Sequence, residues 1–421
     1  MCVFIMQTYY SIKELDNIFM KTLNKKPKLI KPSAETINTL IDHMQITDYS
    51  VKNKKIALLP SHPHVTYLEG KIKELEGGEN ALVLESLTEA RYLLFKTLLR
   101  PGDNIVSFNS WSLYFNDDAN YKNSGISIRL SVDGKIETLN ELIDEHTKII
   151  YLETISNEFM NIPDFRKISA IAKEKNIPLV VDNTAGGPGY LTSPIRYGAN
   201  LVLLDTTPWL LHNKKYAGAV IIEDGNYNWR NRKFDHLIND EHNKKGYSEN
   251  ENKKTFHSIE RYYFSVLDYI RHSSYVENVD LTIAPNWYYD IENIDYILFR
   301  KSENAALLAT WLKKQEKVAC INYLGFPENG NHLIASSLFK GGYGNTFSFK
   351  LNSAIFSNEL FIKKIRTLDI PLYLFRLFFD ADLSTIIVST GHGDFEEIKR
   401  FFQLIFESVE TKELVTKNGY R

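Results

Sequence analysis

Two aspartates, Asp182 and Asp205, each close a short run of β-branched and aliphatic residues, 178–182 and 201–205. Carboxylates at the mouths of neighbouring strands can share a proton or collect a cation, and burial raises the pKa of at least one of them. A Lys or Arg partner is the simplest expectation for Asp182. Directly after Asp205 come Thr206, Thr207, Pro208 and Trp209; Thr207 offers a hydroxyl donor, whereas Pro208 carries no side-chain amine. With His212, the pair His62 and His64 would form an acid/base cluster or a metal site. A spacing of two puts both imidazoles on one side of an extended segment. No fixed third ligand accompanies them, so these histidines read as exposed loop residues and no metal is expected.

These residues sit among alternating elements. From about 80 to 222, β-branched runs at 81–84, 104–108, 126–132, 149–153, 178–182, 201–205 and 218–222 alternate with helical patterns, the signature of a mostly parallel sheet wrapped by helices. Residues 164–176 read as one such helix, capped by Asp164, with Phe165, Ile168 and Ile171/Ala172 as its apolar stripe. Ligands of open sheets settle beyond the carboxyl ends of the strands, where Asp182 and Asp205 lie. The first 60 or so residues read as an arm with one or two helices. Residues 223–265 are polar enough to read as a surface insertion. A long helix over 291–314, a strand-rich segment at 341–351 and closing helices near 395–407 make a second domain. The expected division is an arm over 1–64, a large domain over 65–284 and a small domain over 285–421.

The chain of 421 residues is 43% hydrophobic, with 50 basic against 52 acidic side chains and a formal charge of -2. Fibrous and disordered classes are excluded, and no basic stripe is long enough to coat a phosphate backbone, so no nucleic acid partner is expected. No stretch reads as a membrane span, and the opening 1–6 lacks the charged lead of a signal peptide. Cys2 and Cys320 are too few for a disulfide framework, which makes the cytoplasm the expected address.

Several blocks together are specific: YLETISN at 151–157, VVDNT at 180–184, IRYGANLVLL at 195–204 and DTTPWLLHNKKYAG at 205–218. LEGGENAL at 75–82, RPGDNIV at 100–106, DGNYNW at 224–229, SENAALLATWL at 302–312 and GGYGNTFSF at 341–349 stand in the matching order. Over roughly 57–405 the chain resembles the Cys/Met metabolism (transsulfuration) family of pyridoxal-phosphate-dependent enzymes, the cystathionine gamma-synthases and O-acetylhomoserine sulfhydrylases, and DGNYNW tilts it toward the sulfhydrylases. The resemblance implies an α/β protein of pyridoxal-phosphate transferase fold type I, with a mostly parallel large-domain sheet, a smaller α+β C-terminal domain, and a homodimer or tetramer.

Carried over residue by residue, the resemblance implies a partly rewritten site. Pro208 occupies the place of the lysine that tethers pyridoxal phosphate, and Lys214 and Lys215 are the nearest amines in sequence. The phosphate-binding turn reads Glu85, Ser86, Leu87, Thr88, with Leu87 in place of glycine. Asp205 replaces a phosphate-binding serine; a carboxylate about 4 Å from one phosphate charge would cost roughly 4 kcal/mol. Ala57 and Leu59 stand where a neighbouring subunit's Tyr and Arg would reach the phosphate. Ile387 holds the place of the arginine that clamps a substrate carboxylate. Asp182 matches the partner of the ring nitrogen, Asn157 that of the ring hydroxyl, and Trp111 the aromatic stacked on the ring. With Ser86, Thr88 and Thr207 these form a vestigial cofactor set.

The expectation is therefore a degenerate homologue that has lost lysine-dependent catalysis, not a conventional pyridoxal-phosphate-dependent lyase or transferase. It would act as a pseudoenzyme through a small-molecule ligand or protein contacts, with no catalytic residue assigned and no cofactor expected, or pyridoxal phosphate if the ancestral site still functions. One alternative is an active sulfur amino-acid or biosynthetic enzyme that holds pyridoxal phosphate non-covalently or runs a new cleft chemistry with Asp205, His212 and Thr207. The other is a heteromeric partner of an active paralogue.

Overall fold

The computed structural model describes residues 63–108, 121–131, 135–156, 160–209, 218–239, 265–273, 290–371, 373–379 and 384–407. In chain order the first half carries α1 (Pro63–Glu76), β1 (Asn80–Leu84), α2 (Leu87–Leu98), β2 (Asn104–Phe108), β3 (Ser127–Ser131), α3 (Ile136–Leu142) and β4 (Thr147–Glu153). Next come α4 (Phe165–Glu174), β5 (Leu179–Asp182), β6 (Leu201–Asp205), β7 (Ala219–Glu223), α5 (Asp235–Asn239) and α6 (Val266–Ser273). The remainder comprises α7 (Ile294–Leu312), β8 (Val318–Asn322), α8 (His332–Leu338), β9 (Thr346–Leu351), α9 (Asn358–Ile365), β10 (Phe375–Phe379), β11 (Ile386–Thr390) and α10 (Phe395–Glu407).

Seven strands form one sheet in the order β1-β7-β6-β5-β4-β2-β3. β2 to β6 run parallel, and β7 runs antiparallel between β1 and β6. The carboxyl ends of β1, β2, β4, β5 and β6 therefore share one edge. Successive side chains of a strand face opposite sides of the sheet, and the central strands are covered on both sides, which is why runs such as 149–152 and 201–204 are apolar. Val181, Val202, Leu204 and Ile222 enter one core; Tyr151, Val180, Leu201, Leu203 and Ile221 enter a second, beneath α2. That alternation carries Glu153, Asp182 and Asp205 onto the α2 side as the strands end. The second sheet, β10-β11-β9-β8, is antiparallel. Its core joins Phe347, Phe349, Phe375 and Val388 to Ala305 and Leu308 of α7 and Phe402 of α10.

Helix α4 begins as its sequence dictates: the Asp164 carboxylate accepts the Lys167 amide at 3.2 Å. Two expectations are corrected. Residues 223–239 are no surface insertion, because Trp229, Phe234 and Leu237 are buried in the second core and the Trp229 indole donates to the buried Glu223 carboxylate at 2.6 Å. The aromatic residues outweigh the polar ones between them. Nor is the chain extended at His64: Pro63 opens α1, a position where its missing amide costs nothing, while His62 lies outside the described residues. The rest of the arm and residues 240–264 lie outside the described residues.

One turn depends on glycine. Gly189 has φ +66°, a Cβ there would meet the Leu75 carbonyl oxygen at 2.0 Å, and its amide donates to the Glu76 carboxylate at 2.8 Å. Burial raises the Glu76 pKa to about 8, against the bonds from Asn183 and Gly189. Gly189→Ala is expected to destabilise the chain by about 3 kcal/mol or more, read from the urea midpoint at unchanged m-value.

Candidate functional site

The shared carboxyl edge of the large sheet gathers the polar residues. Asp182, 6% exposed, has its charge already met: Arg91, also 6% exposed, reaches it from α2. The Nη2 of Arg91 donates to Asp182 Oδ2 at 2.8 Å, and its Nε donates to the Tyr151 hydroxyl at 3.1 Å. That hydroxyl donates to the same Oδ2 at 3.3 Å, while Asp182 Oδ1 accepts the Thr184 amide at 3.0 Å. Burial opposes the guanidinium charge, but Tyr151, Asp182 and Glu153 outweigh it and hold Arg91 firmly cationic.

On the next strand, Asp205 Oδ1 accepts both the amide of Thr207 at 2.8 Å and its hydroxyl at 2.5 Å. The Asp205 amide donates to the Thr184 hydroxyl at 2.9 Å. Burial raises the Asp205 pKa; the Thr207 bonds pull it down, nearby Asp182 adds to the rise, and Arg376 on β10 offsets it. Arg376, half-buried, is itself held below its ordinary value by burial, with Asp205 acting against that.

Pro208 leaves no side-chain amine at its position, yet an amine arrives from another element. Lys301, on α7 and 8% exposed, donates its ammonium to the Pro208 carbonyl oxygen. Its own carbonyl accepts the Thr390 hydroxyl at 2.7 Å, which ties α7 to β11. Burial, then repulsion from Arg376, pushes the Lys301 pKa down to about 7 against the pull of Asp290. Lys301 thus carries a substantial neutral fraction near pH 7, the state in which a lysine takes a proton or attacks an electrophile.

The turn before α2 is occupied by its own groups. Ser86 accepts the Glu89 amide at 3.1 Å as the helix cap, and Glu89 Oε2 accepts the Glu85 amide at 2.9 Å. Glu89 therefore supplies the negative charge that a helix amino end favours. Ser86, Thr88 and Glu85 are exposed, and Leu87 is half-buried. Asn183, by contrast, is structural, since its amide holds Glu76, Gly187 and Thr192.

Of the residues singled out in the sequence, Asp182, Asp205, Thr207 and Pro208 come together, and Ser86 and Thr88 lie at the end of β1 on the same edge. Asn157, Trp111, His212, Lys214, Lys215, Ala57, Leu59 and His62 lie outside the described residues, and the His64 side chain is not described. Ile387 is buried in β11, with Phe378 of β10 opposite; Arg376 pairs with Ser389 two residues further on. Arg91, Lys301 and Arg376 are additions that inspection of the strand ends misses. Among the described residues no group of three His, Cys, Asp or Glu could hold a metal, and no helix is long and apolar enough to cross a membrane.

These residues do not fit pyridoxal phosphate as such a site would hold it. The carboxylate that the resemblance would give to its ring nitrogen is paired with Arg91, the helix end it would give to the phosphate is capped by Ser86 and carries the Glu89 carboxylate, and position 208 has no side-chain amine.

Residues 60–372 match the family described as Cys/Met metabolism PLP-dependent enzyme. The homocysteine/cysteine synthase of Saccharomyces cerevisiae is 33% identical over 298 residues, 68% of this chain and 65% of the yeast protein. The O-acetyl-L-homoserine sulfhydrylase 1 of Thermus thermophilus is 32% identical over 311 residues, 72% of each chain. An O-acetylhomoserine sulfhydrylase of Wolinella succinogenes superimposes with a TM-score of 0.64 at 24% identity, over 80% of this chain and 95% of its own. An O-acetylhomoserine (thiol)-lyase from Campylobacter jejuni, described as putative and solved with a pyridoxyl-lysine monophosphate residue, gives 0.68 at 19% identity, covering 82% and 86%. Together with the seven-stranded sheet, these likenesses establish the type I transferase fold. They also correct one expectation: relatives named as synthases and sulfhydrylases overturn the reading of this chain as outside conventional pyridoxal-phosphate-dependent lyases and transferases, because the matched family is one of enzymes.

Proposed function

Because the chain belongs to the Cys/Met metabolism family of pyridoxal-phosphate-dependent enzymes, we propose that it is an enzyme of the sulfur amino-acid class, acting on a small carboxylate-bearing molecule at the carboxyl edge of the large sheet. The observation that carries this reading is Lys301, a buried amine with its pKa near 7, delivered to the carbonyl of Pro208. It stands one residue contact from the position that lacks an amine, and it serves as the proton acceptor or nucleophile of the site. Asp205, with its raised pKa, is a proton donor or acceptor at the same place, oriented by Thr207. Arg376 is the half-buried cation that pairs with a substrate carboxylate, in a role Ile387 cannot fill. Two buried polar atoms near these strand ends, Ser156 Oγ and Trp209 Nε1, have no partner among the described residues. They can bond a ligand without giving up an internal hydrogen bond. A homodimer or homotetramer in the cytoplasm belongs to the same reading.

The test uses the two compounds that the relatives' names suggest, O-acetyl-L-homoserine and L-homocysteine. Calorimetric titration of the full chain is expected to show saturable binding, weakened about tenfold or more by Arg376→Ala. Thiol formation from O-acetyl-L-homoserine and sulfide is expected to disappear in Lys301→Met while ligand binding stays within about threefold of the parent. Neither binding nor thiol formation in the parent chain would sink the reading.

A further inference from the structure

Arg91 is an unusual residue to find beneath a sheet: a guanidinium on the apolar stripe of α2, in the same core as Leu94, Leu98 and Tyr151. Its Nη2 donates to Asp182, and its Nε donates to the Tyr151 hydroxyl, which in turn donates to the same carboxylate. Oδ2 of Asp182 takes Arg91 and Tyr151, Oδ1 takes the Thr184 amide, and both partners of the ion pair are buried. A carboxylate of this kind has room for about four hydrogen bonds in all. A cationic ring that needed it would find one free lone pair and a fixed positive charge alongside.

We infer that Arg91 is a built-in counter-ion that reserves Asp182, so that the site discriminates against ligands bearing a protonated ring nitrogen. Arg91 acts through Asp182 and is therefore a positioning residue. A protonated pyridine exchanges a water shell for a carboxylate already neutralised, and repulsion from the guanidinium replaces the attraction that a bare carboxylate would give. A neutral ring forfeits nothing, since it makes no demand on the aspartate. The choice between ring ligands is thus set by a residue on α2 rather than by the strand end that carries Asp182. This inference does not rest on the amine of Lys301 and stands or falls separately from it.

The probes are pyridoxal 5′-phosphate and its analogue with the ring nitrogen replaced by C–H, titrated into the full chain by fluorescence. The parent is expected to bind the two within about twofold of each other, or neither. Arg91→Met should prefer the nitrogen-bearing probe by about tenfold or more, and Arg91→Met with Asp182→Asn should lose that preference. Arg91→Gln, which keeps a hydrogen-bond donor without the charge, takes the place of the methionine variant if the latter does not fold. A parent chain that already prefers the nitrogen-bearing probe about tenfold overturns the inference. So does a neutral Arg91 variant that shows no preference, or a preference that survives the loss of the Asp182 charge. A purely structural Arg91 would change stability and leave the ratio of the two affinities untouched.

Discussion

Arg91→Met is expected to lower the unfolding free energy by about 3–5 kcal/mol at neutral pH, the range for removing one partner of a buried ion pair. The guanidinium serves two acids, since Asp182 accepts it directly and Glu153 interacts with it as well. Without it, Asp182 keeps only the Tyr151 hydroxyl and the Thr184 amide. The double variant Arg91→Met with Asp182→Asn is expected to recover to within about 1–2 kcal/mol of the parent, because the cost lies in the orphaned charge and not in the lost contact. Urea denaturation of the parent, both single variants and the double variant measures this. A single Arg91 variant as stable as the parent would contradict the pairing.

Lys301 yields the second large effect, as a dependence on pH. Its pKa in the folded chain is about 7, against an ordinary 10.5. The unfolded chain therefore binds the extra proton throughout the window from about pH 7 to 10, and stability from this residue rises with pH across it. The stability is fully present above the unfolded value and lost as pH falls through the folded one. Lys301→Met removes the ionisation, so the variant should gain on the parent as pH falls, by on the order of 4 kcal/mol between pH 10 and pH 7. Denaturation midpoints of both proteins across that range read the difference directly. Parallel curves would show that Lys301 keeps an ordinary pKa in the fold.

The large sheet is legible in the chain because its strands are covered on both faces. Runs such as Ile149 to Leu152 and Leu201 to Leu204 are apolar throughout, with acids appearing only where the strands end. The elements near Trp229 are harder, since the polar residues of 223–239 mask three buried side chains. The paired carboxylates at Asp182 and Asp205 are visible for the same reason as the strands. Their cations are not, because they come from helices and from the second sheet. A signal does exist: Arg91 stands four residues after Leu87 and three before Leu94, and Lys301 four after Ile297 and four before Ala305. Each interrupts an apolar stripe at helical spacing, the pattern that marks a charge turned inward toward a partner. Arg376 carries no such mark, since strand β10 alternates irregularly in exposure.

The placement of β7 has a bearing on how the chain emerges from the ribosome. Asn80 of β1 pairs with Glu223 of β7, and β7 is the neighbour that joins β1 to β6. During synthesis β1 leaves the exit tunnel long before that partner exists, while β2, β4, β5 and β6 can already associate among themselves. Its apolar residues 81–84 then wait as an unpaired ribbon, open to docking with nascent neighbours on the same polysome. Closure by β7 is a late, long-range event, and slow translation of 206–218 would prolong the vulnerable interval.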